Sequence, residues 1–345
     1  MLFTQLESSS DYDDEFKPIK KVNKYIIVGC VGEGTFAKVY YGVDSETGHE
    51  YALKKFKLGD LQTLDSGISQ LEREIMMMRK LNHPNILTLH EVLYVEQKEI
   101  VYLVIDYADC GSLEKIIQKQ WMVLNDDMIR GIFLQILNAL KYLGSLGIIH
   151  EDIKPSNILI SSNGKAYLSD FGVGHTTASF DMVVGSPAYQ APECFQDGVD
   201  YREMDPAKED VWSLGVTLYK TLFGKLPFEG ENVFEIVAKI KTTPLPIPDG
   251  TDPVKVSLLK GMLCINQLER FNVTRTIQHE FFMKSDGKFN ADNIKQVERP
   301  KINQKAQMVQ INAKVCDDSF SFARPTFTVH AQLRAMNSKS NNNGI

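Results

Sequence analysis

The sequence predicts an α+β architecture of two lobes, a small β-rich lobe followed by a larger, mainly helical one. Between Tyr25 and about residue 105, short runs rich in Val, Ile and Tyr alternate with turn residues, the pattern of a half-buried sheet. After Asp109 the apolar runs lengthen and lose their alternation, as buried helices do. A hinge is therefore expected near Asp106–Gly111, and clefts between lobes are common ligand sites.

The elements follow in order. Residues 1–20 read as a flexible acidic leader, 21–108 as the first lobe, 109–285 as the second, and 286–345 as a polar, largely disordered tail. In the first lobe the strand candidates are YIIVGCVGEG, AKVYYGV, EYALKKF, LTLHEVLYV and IVYLVIDY, with turns at Gly34, Gly48 and Glu96–Lys98. One helix interrupts them. In ISQLEREIMMMRKL, residues Leu71, Ile75, Met78 and Leu81 fall on one helical face. In the second lobe, DDMIRGIFLQILNALKYLGSL is a long buried helix for which Asn125 and Asp126 offer capping oxygens. Further helices are expected at about 208–223, 231–240, 253–263 and 273–283. Pro244, Pro246 and Pro248 break the chain between two of them.

Composition narrows the class. Of the 345 residues, 43% are hydrophobic and 24% charged, ordinary globular usage that supports a sizeable core. A formal net charge of -6 argues against a nucleic-acid binder, which usually carries a basic face. The five cysteines include no C-x-x-C pair, which reads as reduced thiols in a cytoplasmic, or also nuclear, protein. No secretory signal is expected from the first residues, and no apolar run is long enough to cross a membrane. With Leu2 in place of glycine and an Asn-Gly-Ile end, no lipid anchor is expected.

The most specific segment is HEDIKPSN, residues 150–157. Eighteen residues after its Asp152 comes the Asp170 of SDFG, behind the strand candidate KAYL. GEGTFAKV, YALKKF, GSPAYQAPE and DVWSLGV complete an ordered set. Together they resemble the eukaryotic protein kinases of serine/threonine type over about residues 20–285, with their bilobal fold. Side chains alternate along a strand, so Ala52 and Lys54 share one face of YALKKF and Lys55 points the other way.

The resemblance implies ATP and Mg²⁺ as cofactors, and a role for each site residue. Asp152 would orient the acceptor hydroxyl and take its proton, and Lys154 would face the γ-phosphate. Asn157 and Asp170 would be hard oxygen ligands for Mg²⁺. Lys54 would hold the α- and β-phosphates, itself held by Glu74, with Glu72 as a surface charge. Gly32 and Gly34 would bring backbone N–H groups to the phosphates, although the third glycine of the family's loop is Ala37 here. Ile105 resembles the residue guarding the adenine pocket, with the base bonded to the backbone at Asp106 and Ala108. Val31, Val39, Ala52 and Leu159 complete the nucleotide-binding set. Ser186 would bond near Asp152 and Lys154, Glu193 would pair with Arg270, and Asp210 would cap the catalytic-loop backbone. Met78, Leu89, His150 and Phe171 would form an apolar column, which makes His150 a core residue.

Within the kinases the chain is most similar to the liver-kinase-B family, the upstream activators of AMP-activated protein kinase, through EVLYVEQKEIVYLVIDYADCG and GVTLYKTLFGKLPFEGENVFEI. The calmodulin-dependent kinase kinases come second, but the tail has no basic amphipathic helix to bind calmodulin. A pseudokinase scaffold is the reading from another class, and the presence of Lys54, Glu74, Asp152, Asn157 and Asp170 weighs against it. One departure stands out. Glu151 occupies the place where most kinases carry an arginine that anchors an activation-segment phosphate, and Val173–Val184 is short and poor in basic residues. Control by a bound partner is therefore expected, as with the pseudokinase and armadillo-type scaffold of the liver-kinase-B family. The expected partners are protein substrates and such activators, with no nucleic acid and no membrane anchor.

Overall fold

The computed structural model describes residues 18–322, apart from 35, 64–66, 119–123, 172–174, 177–185, 196–204, 293, 295 and 303–305. The β-rich runs become β1 (Ile19–Val22), β2 (Tyr25–Glu33), β3 (Ala37–Asp44), β4 (Glu50–Lys57), β5 (Leu89–Val95) and β6 (Ile100–Asp106). They pair antiparallel in the order β1-β2-β3-β4-β6-β5. Gly48, at φ 74°, makes the turn between β3 and β4, a conformation open to a residue without Cβ. The period-2 alternation separates two packed faces. Ala52, Phe56, Leu103 and Ile105 join a core that continues into the second lobe. Leu53, Tyr102, Val104 and Leu93 pack on the other face with Val22 and Tyr25.

Between β4 and β5 lie α1 (Leu58–Gln62) and α2 (Gly67–Lys80). The apolar face read from the sequence is the buried one, with Leu71, Ile75 and Met78 at 5% exposure or less and Leu81 buried just past the helix end. The loop after α2 is tied to the second lobe, since Leu87 N–H donates to Leu168 O at 3.0 Å and Leu168 N–H to Asn85 O at 2.9 Å.

The second lobe starts with β7 (Gly111–Ser112) and α3 (Leu113–Gln118) and is organised around α4 (Asp126–Ser145). Asn125 caps α4 by accepting from Met128 N–H at 2.9 Å, while Asp126 sits in the first turn and pairs with Lys255 at 2.7 Å. Then come β8 (Ile148–Ile149), β9 (Ile158–Ser161), β10 (Lys165–Leu168) and β11 (His175–Thr176). The helices α5 (Ala207–Phe223), α6 (Val233–Thr242) and α7 (Pro253–Met262) follow the sequence reading closely. The single helix expected at 273–283 is instead two, α8 (Val273–Ile277) and α9 (Glu280–Met283). His279 starts the second by accepting from Phe281 N–H through Nδ1, a capping geometry that interrupts the first.

The chain ends depart further from expectation. β1 begins at Ile19, inside the segment read as a leader. The region read as a largely disordered tail contains β12 (Met308–Ile311) and β13 (Lys314–Val315). β12 pairs parallel with β1 and β13 pairs antiparallel with β5, so one short segment joins both edges of the curled sheet. Asn23, between β1 and β2, holds the crossing point: its Nδ2 donates to Ala313 O at 3.0 Å and its Oδ1 accepts Ala313 N–H at 2.8 Å. Beyond β13 the chain lies behind α2. Arg79 donates to Asp317 O at 2.6 Å and also to Cys316 O, and Glu72 accepts from Ser321 Oγ at 2.7 Å. Phe320 and Phe322 pack on Tyr94 with ring centroids 5.7 and 5.6 Å away. Polar composition concealed this because strand pairing uses backbone groups, and only a few apolar side chains (Ile311, Ala313, Phe320, Phe322) are needed to seat the segment. Residues 323–345 of the expected tail lie outside the described residues.

Candidate active site

The loop between β8 and β9 carries Asp152, Lys154 and Asn157, and its shape is set from below. Asp210, in the first turn of α5 and 3% exposed, accepts the backbone N–H groups of His150 and Glu151 at 2.9 Å each. This holds Glu151 at φ 65°, a left-handed conformation that a non-glycine residue adopts at a cost. His150 is fully buried. Its Nε2 lies 3.0 Å from Ser169 O and its Nδ1 accepts Asp152 N–H at 3.3 Å, so the ring links the two loops in the tautomer with hydrogen on Nε2. Phe171 stacks edge-on against it, centroids 4.9 Å apart, and Met78 is buried in the same core, with Leu89 packed against it.

With the loop so fixed, the polar groups converge. Lys154 Nζ stands 2.7 Å from Asp152 Oδ2 and 2.8 Å from Ser186 Oγ. Asn157 Nδ2 donates to Asp152 O and to Asp152 Oδ2, both at 2.9 Å. Because the amide nitrogen is turned to Asp152, Asn157 Oδ1, which accepts from Ser156 Oγ at 3.5 Å, keeps a lone pair for a ligand.

Across the cleft, Lys54 Nζ lies 2.6 Å from Glu74 Oε1 and 3.2 Å from Asp170 Oδ1. Burial opposes the charge on Lys54, but the Glu74 and Asp170 carboxylates outweigh it and raise the ammonium above the ordinary lysine range. The Lys54 charge in turn holds the Asp170 carboxyl below its usual range, against the effect of burial. Asp170 is at φ 67° and half exposed, so its carboxylate faces the cleft. Lys55 lies on the opposite face with its ammonium 6.0 Å from the Tyr40 ring centroid.

These groups line one cavity of about 400 Å³ between the lobes. Val31, Gly32, Gly34, Val39, Ala52, Ile105, Asp106, Ala108 and Leu159 line it together with Lys54, Glu74, Asn157 and Asp170. Asp152 and Lys154 sit at its mouth rather than in its wall, bonded to Asn157 and Ser186. Two residues depart from the sequence reading. Glu72, expected as a surface charge, accepts from Ser321 Oγ and Phe322 N–H of the segment after β13. Val297, from beyond the second lobe, lines the cavity, and no local pattern around it signals this. The activation-segment residues Gly172–Gly174, Thr177, Ser179, Phe180, Met182 and Val183 lie outside the described residues, while the backbone of Thr176 pairs with Ile148.

The cavity fits a nucleotide with its metal. Its apolar end is walled by Val31, Val39, Ala52 and Leu159, and its other end presents the Lys54 ammonium with the Glu74 and Asp170 carboxylates on it, and the Asn157 amide. Mg²⁺ keeps several waters and phosphate oxygens, so two protein oxygens suit it. Among the described residues no group of three or more His, Cys, Asp or Glu could close a metal cage.

Glu151 lies beside this site among carboxyls. Burial pushes its carboxyl up to about 8, and the nearby Asp210 and Glu209 add to the shift. Glu209 is pushed up to about 7 by burial and by Glu193. Below them Arg270, fully buried, forms a double hydrogen bond with Glu193 at 2.6 and 2.8 Å.

Comparisons with known proteins agree with this geometry. Residues 25–282 match the family described as protein kinase domain. The serine/threonine-protein kinase STK11 of Gallus gallus is 36% identical, over 79% of this chain and 63% of its own length. The STK11 of Homo sapiens is 36% identical over 79% of this chain and 64% of its own. The CBL-interacting serine/threonine-protein kinase 20 of Arabidopsis thaliana is 33% identical over 88% and 66%. The chain thus spans less than two thirds of the length of these relatives. With the bilobal fold, the cleft and a family match over most of its length, the chain belongs to the protein kinase family.

Proposed function

We propose that this protein transfers the γ-phosphoryl group of ATP to serine or threonine hydroxyls of other proteins. The observation that supports this best is the arrangement of Asp152, Lys154 and Ser186 at the mouth of a cleft whose inner end holds Lys54, Glu74 and Asp170. Phosphoryl transfer needs positioning and charge neutralisation more than covalent help. Asp152 orients the acceptor hydroxyl and takes its proton. Lys154, tethered by Asp152 and Ser186, presents a positive charge where the transferring group develops negative charge. Lys54 fixes the inner phosphates, and Glu74 keeps that lysine in place. Asn157 and Asp170 hold the metal. MgATP supplies the phosphoryl group and the divalent charge.

The similarity to STK11, the liver-kinase-B group, supports a finer reading, that the substrate is the activation-segment threonine of a kinase like AMP-activated protein kinase. Glu151 in the arginine position and the short activation segment support activation by a pseudokinase–scaffold pair rather than by phosphorylation, because a carboxyl group carries no positive charge to anchor a phosphate. The test is transfer to an inactive kinase-domain substrate, with and without each candidate activator, before and after phosphatase treatment. The expected result is low basal transfer, raised by the pair, unaffected by Ca²⁺–calmodulin and largely kept after phosphatase. Stimulation by Ca²⁺–calmodulin would favour a calmodulin-dependent kinase kinase-like enzyme. Nucleotide binding without any transfer, under every condition, would favour a pseudokinase scaffold.

A further inference from the structure

The segment that leaves the second lobe crosses the hinge before it reaches the sheet, and three separate contacts fix it there. Val297 N–H donates to the carbonyl of Asp109 at 2.7 Å. Arg299 pairs with Glu50 at 3.2 Å. The Pro300 ring occupies the space that a side chain at Gly29 would need, so the absence of a side chain there lets the segment lie against β2. Asp109 is itself rigidly held. Its buried carboxylate accepts from Ser161 Oγ at 2.9 Å and from Ser162 N–H at 2.7 Å, which ties the hinge to the turn between β9 and β10.

At the first of these anchors the Val297 side chain is turned to the cavity. Its Cγ2 sits 3.1 Å from where a Cβ on Gly111 would be, and it lines the cavity beside Val31, Gly111 and Lys115. This is the hinge end, since Val297 bonds Asp109 O and meets Gly111, whereas Lys54, where phosphates would be held, pairs with Leu103 further back along β6. An apolar side chain held at that place meets the flat, apolar face or edge of a base, not its phosphates.

Resting on the reading of this cleft as an ATP site, we infer that the segment Val297–Pro300 is part of the nucleotide site, with Val297 as a binding residue that forms the outer apolar wall for the purine. Base affinity then depends on a segment outside the two lobes. A contact to the base contributes equally to the ground state and the transition state, so its loss raises KM for ATP and leaves kcat.

The experiment compares Val297→Asp and Val297→Ala with the wild type in the full chain. Adenosine, which carries no phosphate, and MgATP are titrated directly, alongside KM for ATP, kcat and melting temperature. Val297→Asp should weaken adenosine and MgATP by a similar factor of about tenfold, with kcat at saturating ATP within about twofold of wild type. Val297→Ala should weaken both by about threefold, and it serves where the aspartate variant does not fold. Unchanged adenosine affinity in Val297→Ala would overturn the inference, as would a fall in kcat with nucleotide affinity intact. A wild-type protein that binds neither adenosine nor MgATP would overturn the reading of the cleft as well, which separates the two failures.

Discussion

The backbone N–H of Glu151 donates to Asp210 Oδ1 at 2.9 Å, so a buried carboxylate holds in place the residue whose own carboxyl faces further acids. Glu151 is pushed up to about 8 from an ordinary 4.5 by burial, with Asp210 and Glu209 adding to it. The native state therefore keeps a proton that the unfolded chain gives up. The contribution is present in full below about pH 4.5 and is lost as pH rises through 8. Glu151→Gln, always neutral, should raise the urea midpoint clearly at pH 8.5 and much less at pH 5.5. An equal change at both pH values would contradict a raised Glu151 carboxyl.

Asp152→Ala and Asp170→Asn address the chemistry. On the proposed function, the first would remove the group that positions the hydroxyl, and the second one of the two oxygens offered to the metal. Each should lower kcat by at least ~10²-fold, and only Asp170→Asn should also weaken MgATP. Steady-state kinetics together with nucleotide titration separates them. Near-wild-type turnover in either variant would remove it from the site.

The Glu193–Arg270 pair is a question of stability. Both side chains are almost wholly buried, and Arg270 also stacks on Trp212 with its guanidinium carbon 4.9 Å from the ring centroid. Arg270→Ala leaves the buried Glu193 without its ion-pair partner, keeping the Gln267 amide at 3.2 Å, at a cost of about 3–5 kcal/mol in chemical denaturation. Arg270→Lys should recover only part of this, since an ammonium cannot match the paired hydrogen bonds of the guanidinium. Full recovery by lysine would show that charge alone matters there.

The segment behind α2 bears on activity at a distance. Arg79 and Glu72 lie on the same helix as Glu74, and they hold the chain through Cys316, Asp317, Ser321 and Phe322. Loosening α2 would separate Glu74 from Lys54. Phe320→Ala combined with Phe322→Ala should therefore reduce kcat several-fold while costing ~2–4 kcal/mol or less in stability, because both rings are only partly buried. Hydrogen exchange on α2 should rise in step. A drop in activity without faster exchange there would place the defect elsewhere.

Much of the fold was legible because its signals are local. Alternation along YALKKF separated Lys54 from Lys55, and the helical period around Leu71, Ile75 and Met78 located the buried face of α2. The convergence of Asp152, Lys154 and Asn157 was legible for the same reason, since one short loop carries all three. Other features had no such signal. Nothing in the pattern at 273–283 marks His279 as the cap that divides one helix into two.

By itself, then, the sequence determined the two-lobed α+β class, the order of strands and helices, and the residues that sit on each short loop or strand face. Period, capping chemistry and motif spacing act over a few residues and do not depend on what lies across the molecule. The kinase resemblance already paired Lys54 with Glu74; only the tertiary structure decided that Glu72 receives Ser321 and Phe322, that Ile311 and Ala313 pack where the segment meets the sheet, and that Val297 reaches the cleft. These contacts join residues far apart in the chain through backbone hydrogen bonds and a few scattered apolar side chains. Such groups are present in every polar segment, and only the folded geometry brings particular ones together.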